Sequence, residues 1–131
     1  MIHLTITMEH YLETVYELSL ENGSVRLSDV AQRMQVSKAS ANNAMNVLAE
    51  KQLVVSEKYR EIRLTQNGYQ LAHILLEKHN ILQQLLRDVI GEDPELADAD
   101  ACAIEHVISP EAIQKINEFL ESWYKNRGSE T

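Results

Sequence analysis

Three side chains that can bind a metal ion stand close together near the carboxyl end of the sequence. Cys102, Glu105 and His106 occupy positions i, i+3 and i+4, which places all three on one face of an α-helix. A thiolate, a carboxylate and an imidazole form a mixed set, too soft for Mg²⁺ or Ca²⁺ and too poor in sulfur for a structural zinc site. The pattern predicts a site for a first-row transition metal.

Further candidate ligands lie elsewhere in the chain. His10 and Glu13 are at i and i+3 in the first predicted helix, and His79 lies in the fourth. Asp98 and Asp100 precede the cysteine. Each of these residues alone has an ordinary structural explanation, since an isolated histidine is usually a surface or satisfied residue and an isolated cysteine a small core residue. The prediction of a metal centre therefore depends on the fold bringing separate helices together.

The same side chains could also be read as a catalytic set, with Cys102 as nucleophile, Glu105 as the orienting group and His106 as base. We predict no enzyme, because side chains three and four positions apart point side by side along a helix. No glycine-rich or oxyanion-binding loop lies nearby in the sequence. A metallohydrolase is the alternative of this class.

The elements that must position these residues begin with a winged helix. A helix ends at Glu21-Asn22-Gly23, a short second helix follows from Asp29 to Met34, and Ser37 begins a third that runs to about Gln52. Two short β-prone runs with a charged tip between them come next and predict a hairpin. This order is a helix-turn-helix followed by a two-stranded wing, and the fold class is mainly α.

The third helix carries the side chains suited to reading DNA. Its short polar residues can reach base edges in the major groove, where asparagine pairs most naturally with adenine; they are Ser37, Lys38, Ser40, Asn42, Asn43 and Asn46. Three cations suit phosphate contacts, namely Arg26 before the second helix and Lys58 and Arg60 at the wing tip. The alternatives are a solvated polar face and a winged helix that binds protein.

The distribution of charge agrees with two roles on one chain. The formal net charge is −8, but residues 24–65 hold seven basic and four acidic residues and are net +3, which leaves −11 for the rest. No apolar run reaches the roughly 20 residues that span a bilayer. The first residues lack a basic segment and a cleavage site, and Cys102 has no partner for an internal disulfide. We therefore predict a cytoplasmic protein that is not bound to a membrane.

The second half of the chain is predicted to be helical. Thr65 begins a fourth helix that runs to Gly91, a fifth runs from Pro94 through Val107, and a last one follows Ser109 to about Tyr124. We divide the chain into a winged-helix domain at 1–72, a helical metal-binding and dimerisation domain at 73–125, and a disordered tail at 126–131.

A homodimer is predicted because the last two helices hold more apolar surface than a monomer of 131 residues would easily cover. The residues concerned are Ile104, Val107, Ile108, Ile113, Ile116, Phe119, Leu120 and Trp123. The alternative is that they pack within the monomer on the fourth helix.

The sequence resembles the DtxR/MntR family of metal-dependent transcriptional repressors over roughly residues 7–125. The resemblance is carried by four stretches: Met8-Glu9-His10-Tyr11-Leu12-Glu13-Thr14-Val15-Tyr16-Glu17-Leu18, Leu53 to Gly68 with its Glu-Lys-Tyr-Arg wing, Lys78-His79, and Asp100 to Ser109. It implies a winged helix followed by a helical dimerisation domain, with metal bound between them.

Carried over position by position, the resemblance implies two neighbouring sites. One metal would be held by His10, Cys102, Glu105 and His106. The second would use His79, with Glu13 as its carboxylate and Glu105 as a bridge. The sequence departs from the family at position 10, which is Met in the iron-sensing branch and Asp in the manganese-sensing branch.

Other positions divide between the two branches. Cys102 matches the iron branch, whereas Glu13 matches the manganese branch. The overall length also matches the manganese branch, because the chain is too short for the SH3-like third domain of longer members. Gln83 and Asp98 stand where the iron branch has Glu and His ligands, which puts that version of the second site in doubt.

The resemblance implies a repressor of metal-homeostasis genes that binds a palindromic double-stranded operator as a homodimer when loaded with metal. The thiolate and imidazoles favour Fe²⁺ as the cofactor, with Mn²⁺ or Zn²⁺ as alternatives. A metal-independent winged-helix regulator, in which His10, Cys102 and His106 are incidental, is the competing prediction.

Overall fold

The computed structural model describes residues 4–56 and 61–129. The chain divides into two compact units, Met1–Ile74 and Leu75–Thr131, and helix α4 contains the boundary. The elements in chain order are α1 (Ile6–Asn22), β1 (Val25–Arg26), α2 (Leu27–Met34), α3 (Lys38–Glu50), β2 (Val54–Ser56), β3 (Glu61–Leu64), α4 (Gln66–Gln84), a π-helical segment (Leu85–Ile90), α5 (Pro94–Ile104) and α6 (Pro110–Ser129).

Helix α1 supplies much of the core of the first unit. Its first turn is capped by Thr5, whose hydroxyl accepts from the Met8 N–H at 3.1 Å. The helix ends at Gly23, which adopts a left-handed φ of 75° and donates its N–H to the Ser19 carbonyl. Leu12 and Val15 are fully buried on the inner face, so α1 is held by apolar packing along one side.

The helix-turn-helix predicted from the sequence is confirmed, with one change of boundary. Ser37 caps α3 as predicted, accepting from the Ser40 N–H at 3.1 Å. Helix α2 starts at Leu27, two residues earlier than the predicted Asp29. The Asp29 carboxylate accepts the Arg26 backbone N–H at 3.3 Å, so an acid in the first turn stabilises the earlier start.

The wing is part of a three-stranded antiparallel sheet, so the predicted two-stranded wing is incomplete. The strand order is β1-β3-β2, with Val25 opposite Ile62 and Val54 opposite Leu64. Strand β1 has only two residues, too few to show an alternating pattern in the sequence. Val25 and Ile62 are buried, and it is this tertiary pairing that makes the segment a strand.

The start of α4 very closely approaches the short segment between α3 and β2. Thr65 caps α4, accepting from the Gly68 N–H at 3.0 Å, while its own hydroxyl donates to the Gln52 carbonyl at 2.6 Å. A Cβ atom on Gly68 would lie 1.9 Å from the carbonyl oxygen of Leu53. Glycine is therefore required here for space, since its φ is not in the left-handed region.

The second unit departs from prediction at two helix ends. The predicted fourth helix does reach Gly91, but its last part, Leu85–Ile90, is π-helical, and Gly91 and Glu92 both donate to the Leu86 carbonyl. Helix α5 ends at Ile104 instead of Val107. The N–H groups of Val107 and Ile108 both donate to the Ile104 carbonyl at 3.0 Å, which tightens the chain and ends the regular helix.

Helix α6 is longer than the sequence analysis predicts. It continues past Tyr124 to Ser129, so the residues from Asn126 to Ser129, assigned above to a disordered tail, are helical. The Arg127 guanidinium lies 4.6 Å from the centre of the Trp123 ring, one turn earlier. This cation–π contact at i, i+4 stabilises the final turns.

The apolar residues assigned above to a dimer interface fall into two groups. Four of the eight, Ile104, Ile108, Ile113 and Ile116, pack within the second unit together with Leu82 and Ala101, and Leu120 is also buried. Val107 and Phe119 stay 70% and 49% exposed.

Among the described residues, no helix has both the length and the apolar character to cross a membrane.

Candidate metal centre and nucleic-acid interface

The three candidate ligands at the end of α5 share one face, although the regular helix stops before two of them. Glu105 keeps helical dihedrals, with φ −56° and ψ −29°, and its N–H donates to the Ala101 carbonyl. The spacing from Cys102 to Glu105 is therefore still that of a helix. The Cys102 thiol sulfur lies within 4.8 Å of a ring nitrogen of His106.

Glu105 is the buried charge at the middle of this cluster. The residue is 1% exposed. Its Oε1 lies 3.2 Å from His106 Nε2, and its Oε2 lies 3.5 Å from His79 Nδ1. Within the described part of the chain, neither oxygen has a hydrogen-bond partner. A buried carboxylate without hydrogen bonds is strongly disfavoured unless a cation compensates it, so this donor set fits a bound metal ion.

His79 on α4 lies between two carboxylates. Its Nε2 is 2.8 Å from Asp98 Oδ1, and its Nδ1 faces Glu105. The interaction with Glu105 contributes most to raising the pKa of His79 from 6.5 to about 9, with Asp98 adding to it and partial burial opposing it. In the metal-free protein the imidazole is therefore a cation at neutral pH.

The raised pKa of His79 makes the stability of the metal-free protein depend on pH. The folded pKa of about 9 exceeds the unfolded value of 6.5, so the stabilisation is fully present below pH 6.5 and is lost as pH rises through 9. We expect the ring-proton NMR signal of His79, recorded with chelator, to titrate near pH 9. In Glu105→Gln the midpoint should fall toward 6.5, and an unchanged midpoint would contradict the assigned cause.

Asp98, one of the further candidate ligands named from the sequence, contacts His79, a pairing that the sequence did not predict. Its side chain is 61% exposed and hydrogen-bonds His79. The family resemblance implies a different carboxylate, Glu13, as the partner of His79. A signal was present in the sequence, because Asp98, Cys102 and Glu105 stand at i, i+4 and i+7, which is one face of a helix. The pairing with His79 has no such signal, because the two residues lie on different helices, α4 and α5.

His10 and Glu13 lie on α1 in the first unit. They are one turn apart, and both are half-buried. The residues at i and i+3 on a helix share a face, so this unit presents an imidazole and a carboxylate as one pair. Their participation in a metal site with Cys102, Glu105 and His106 stays a prediction.

The polar side of α3 is exposed. All six residues predicted to read base edges are solvent-accessible: Ser37, Lys38, Ser40, Asn42, Asn43 and Asn46. The opposite side is buried through Ala41, Ala44, Met45 and Leu48. The Ser37 hydroxyl is occupied locally, because it caps α3 and contacts the Ser40 hydroxyl at 3.1 Å. The amide-bearing side chains and Lys38 are therefore the better candidates for base contacts.

The cations predicted to contact phosphates divide into two groups. Arg26 is exposed at the junction of β1 and α2, as the sequence analysis requires. Lys58 and Arg60, at the tip of the wing, lie outside the described residues. A hollow of about 280 Å³ is lined by residues of α3 and of the sheet, among them Lys38, Asn42 and Ser56.

Two family models match the chain one after the other. The N-terminal DNA-binding domain of iron-dependent repressors matches residues 3–62. The metal-binding and dimerisation domain of iron-dependent repressors matches residues 65–127. The boundary between them falls just before α4, and together they take in nearly the whole chain.

Solved structures agree with these matches. The manganese regulator SloR is 26% identical with a TM-score of 0.77, over 90% of this chain and 55% of that one. IdeR of T. acidophilum is 30% identical with a TM-score of 0.77, over 92% and 56%. ScaR with bound Zn²⁺ is 28% identical with a TM-score of 0.76, over 87% and 53%. The chain spans little more than half the length of each.

The sequence motifs, the winged-helix unit, the helical second unit and both family models agree. The predicted fold class is confirmed, apart from the additional strand β1. The chain belongs to the DtxR/MntR family of metal-dependent transcriptional repressors.

Proposed function

We propose that this protein is a DNA-binding transcriptional repressor of metal-homeostasis genes that is activated by a divalent transition metal. The observation that carries the proposal is Glu105, a buried carboxylate flanked by two imidazoles and without a hydrogen bond in the described residues. A structural ion pair would be expected to satisfy these oxygens with hydrogen bonds. In a metal site the oxygens instead stay without hydrogen bonds, because they bind the ion.

The ligand set implied by the family resemblance takes residues from both units. His10 of the first unit would complete a site with Cys102, Glu105 and His106, and Glu13 would join His79 and Glu105 in a second. A bound cation would balance the charge of the Glu105 carboxylate and give its two oxygens the partner that no hydrogen bond supplies within the described residues. Metal and DNA affinities would then be coupled by about 1–3 kcal/mol, and DNA would tighten metal binding by the same factor.

The donor types argue for Fe²⁺ as the activating ion. A thiolate and imidazoles are softer ligands than the carboxylates and water that suit Mn²⁺. Zn²⁺ would bind such a site more tightly than Fe²⁺, so the availability of the two ions would decide between them. The named relatives include a manganese regulator and a protein with bound Zn²⁺. The choice is tested by titrating the three ions separately, with Fe²⁺ under anaerobic conditions.

The proposed partners are a palindromic DNA operator and a second copy of the chain. The support for DNA is the exposed polar face of α3 together with the match of residues 3–62 to a DNA-binding domain. The support for a dimer is the match of residues 65–127 to a dimerisation domain and the exposed Val107 and Phe119. Paired recognition helices would read half-sites about one helical turn, or a multiple of it, apart.

We also propose a cytoplasmic location and no catalytic activity. A single cysteine suits a reducing compartment. Cys102 and His106 stand four residues apart at the end of α5, which suits ligation of one ion better than attack on a substrate. Hydrolase activity that survives in a variant unable to bind DNA would revive the catalytic alternative.

The function is tested by selecting duplexes from a random DNA pool with Mn²⁺, Zn²⁺ or anaerobic Fe²⁺ present. We expect an enriched palindrome whose binding, followed by fluorescence anisotropy, is lost when chelator is added. Equal binding with and without chelator would contradict the metal switch and support a metal-independent regulator. Failure to enrich any sequence would contradict operator binding.

The recognition face is tested with the same selected duplex. Asn43→Ala should weaken specific binding by about 1–3 kcal/mol, the value of one bidentate base contact, while binding to unrelated DNA changes little. Asn80→Ala, an exposed amide of α4 in the second unit, is the matched control and should bind normally. Equal losses on specific and unrelated DNA would place Asn43 at the phosphate backbone instead.

A further inference from the structure

The two ring nitrogens of His79 have different partners. Nε2 makes a hydrogen bond of 2.8 Å to Asp98 Oδ1, whereas Nδ1 lies 3.5 Å from Glu105 Oε2. The first distance is that of a charge-assisted hydrogen bond, and the second is too long for one. The carboxylates also differ in setting, because the Asp98 side chain is 61% exposed and that of Glu105 is fully buried.

This asymmetry determines which nitrogen can bind a metal ion. A neutral imidazole carries its proton on one nitrogen and a lone pair on the other, and the hydrogen bond made by one nitrogen decides which is which. We propose that Asp98 is a positioning residue: when a divalent transition metal displaces the Nδ1 proton of His79 to solvent, Asp98 keeps the other proton on Nε2, so that Nδ1, on the Glu105 side, is the nitrogen presented to the metal. The inference rests on the metal-dependent function proposed above.

Asp98 acts through His79 and not as a ligand itself. Nδ1 and Nε2 lie on different sides of the ring, and Asp98 contacts only Nε2, so an ion held by Nδ1 and Glu105 would not be bound by Asp98. A carboxylate behind a ligating histidine fixes the orientation of the ring and raises its basicity as a ligand. At position 98 the iron branch of the family has a histidine ligand, and this chain has Asp instead. The structure assigns Asp98 the role of orienting His79.

The coordinating atom is tested by NMR of the protein labelled with ¹⁵N-histidine and loaded with ¹¹³Cd²⁺. We expect coupling between ¹¹³Cd and Nδ1 of His79, with a protonated Nε2 that exchanges slowly with water. In Asp98→Ala the Nε2 proton should exchange faster, because its acceptor is gone. Coupling at Nε2, or no coupling to His79, would overturn the inference.

Affinity separates positioning from a merely structural contact. Loss of an outer-shell carboxylate lowers metal affinity about 10- to 100-fold, so Asp98→Ala should weaken Zn²⁺ binding by that factor in competition with a chromophoric chelator. Asp98→Asn keeps an acceptor oxygen and should recover most of the affinity. Glu95→Ala removes an exposed acid from the same helix and should bind Zn²⁺ as the wild type does.

The outcomes distinguish this inference from the function on which it rests. If the wild-type protein binds neither Zn²⁺ nor Cd²⁺, the metal-dependent function fails and the role of Asp98 fails with it. If the wild type binds both ions but Asp98→Ala binds them equally well, only the role of Asp98 is overturned. A less stable Asp98→Ala protein that still binds through Nδ1 with full affinity would show a structural contact and overturn it too.

Discussion

Replacing Glu105 with glutamine should abolish metal-dependent DNA binding while leaving the fold intact. Glutamine has nearly the same shape, so the packing of a residue that is 1% exposed is retained. It carries no negative charge, however, and it cannot balance a divalent cation between two imidazoles. Zn²⁺ affinity should fall by more than the roughly 10- to 100-fold that follows loss of an outer-shell group, and DNA affinity should fall to the level seen with chelator.

The control for this substitution is Glu118→Gln on the exposed side of α6, which makes the same chemical change outside the cluster. It should bind Zn²⁺ and the selected duplex as the wild type does. Far-UV circular dichroism establishes that both variants are folded. A folded Glu105→Gln protein with wild-type Zn²⁺ affinity would remove the main support for the metal centre.

Replacing Gly68 with alanine should destabilise the first unit strongly. The new Cβ would lie 1.9 Å from the Leu53 carbonyl oxygen, which also accepts the Thr65 N–H at 3.0 Å. Because both atoms in this clash are tied to the backbone, the start of α4 must shift away from Leu53, in the segment between α3 and β2. We expect a loss of about 1–3 kcal/mol in the free energy of unfolding, as for overpacking in general.

The effect should be confined to the first unit, and two probes can show this. Hydrogen exchange at the amides of Leu12 and Leu48 reports on the first unit, while Trp123, the only tryptophan of the chain, reports by fluorescence on the second. In Gly68→Ala, hydrogen exchange at Leu12 and Leu48 should accelerate, while the unfolding transition reported by Trp123 fluorescence should not shift. Gly128→Ala, where a Cβ meets nothing within 4 Å, should leave both unchanged; normal exchange in Gly68→Ala would contradict the close approach.

Several helix boundaries were predictable because their signals are local. Ser37 caps α3, Thr65 caps α4, and Gly91 ends the helical segment that contains α4. A hydroxyl that accepts an N–H three residues later, or a glycine with positive φ, depends only on neighbours in the chain. Sequence alone is sufficient in such places.

Other boundaries were not predictable because the deciding contact is distant or weakly encoded. Strand β1 exists through pairing with β3, some thirty-six residues further along the chain. The last turns of α6 carry a cation–π contact that composition does not reveal. The end of α5 at Ile104 results from two N–H groups sharing one carbonyl, which the apolar periodicity does not indicate.

The sequence by itself determined the family, the winged-helix order and the types of side chain that could hold a metal, because these depend on residue identity and on spacing along single helices. Only the tertiary structure decided how His79 meets its carboxylates: Asp98 at 2.8 Å on one nitrogen and the buried Glu105 on the other. The physical reason is that the hydrogen bonding of an imidazole depends on groups brought to each side of the ring by different helices. Spacing within one helix carries no information about which groups those are.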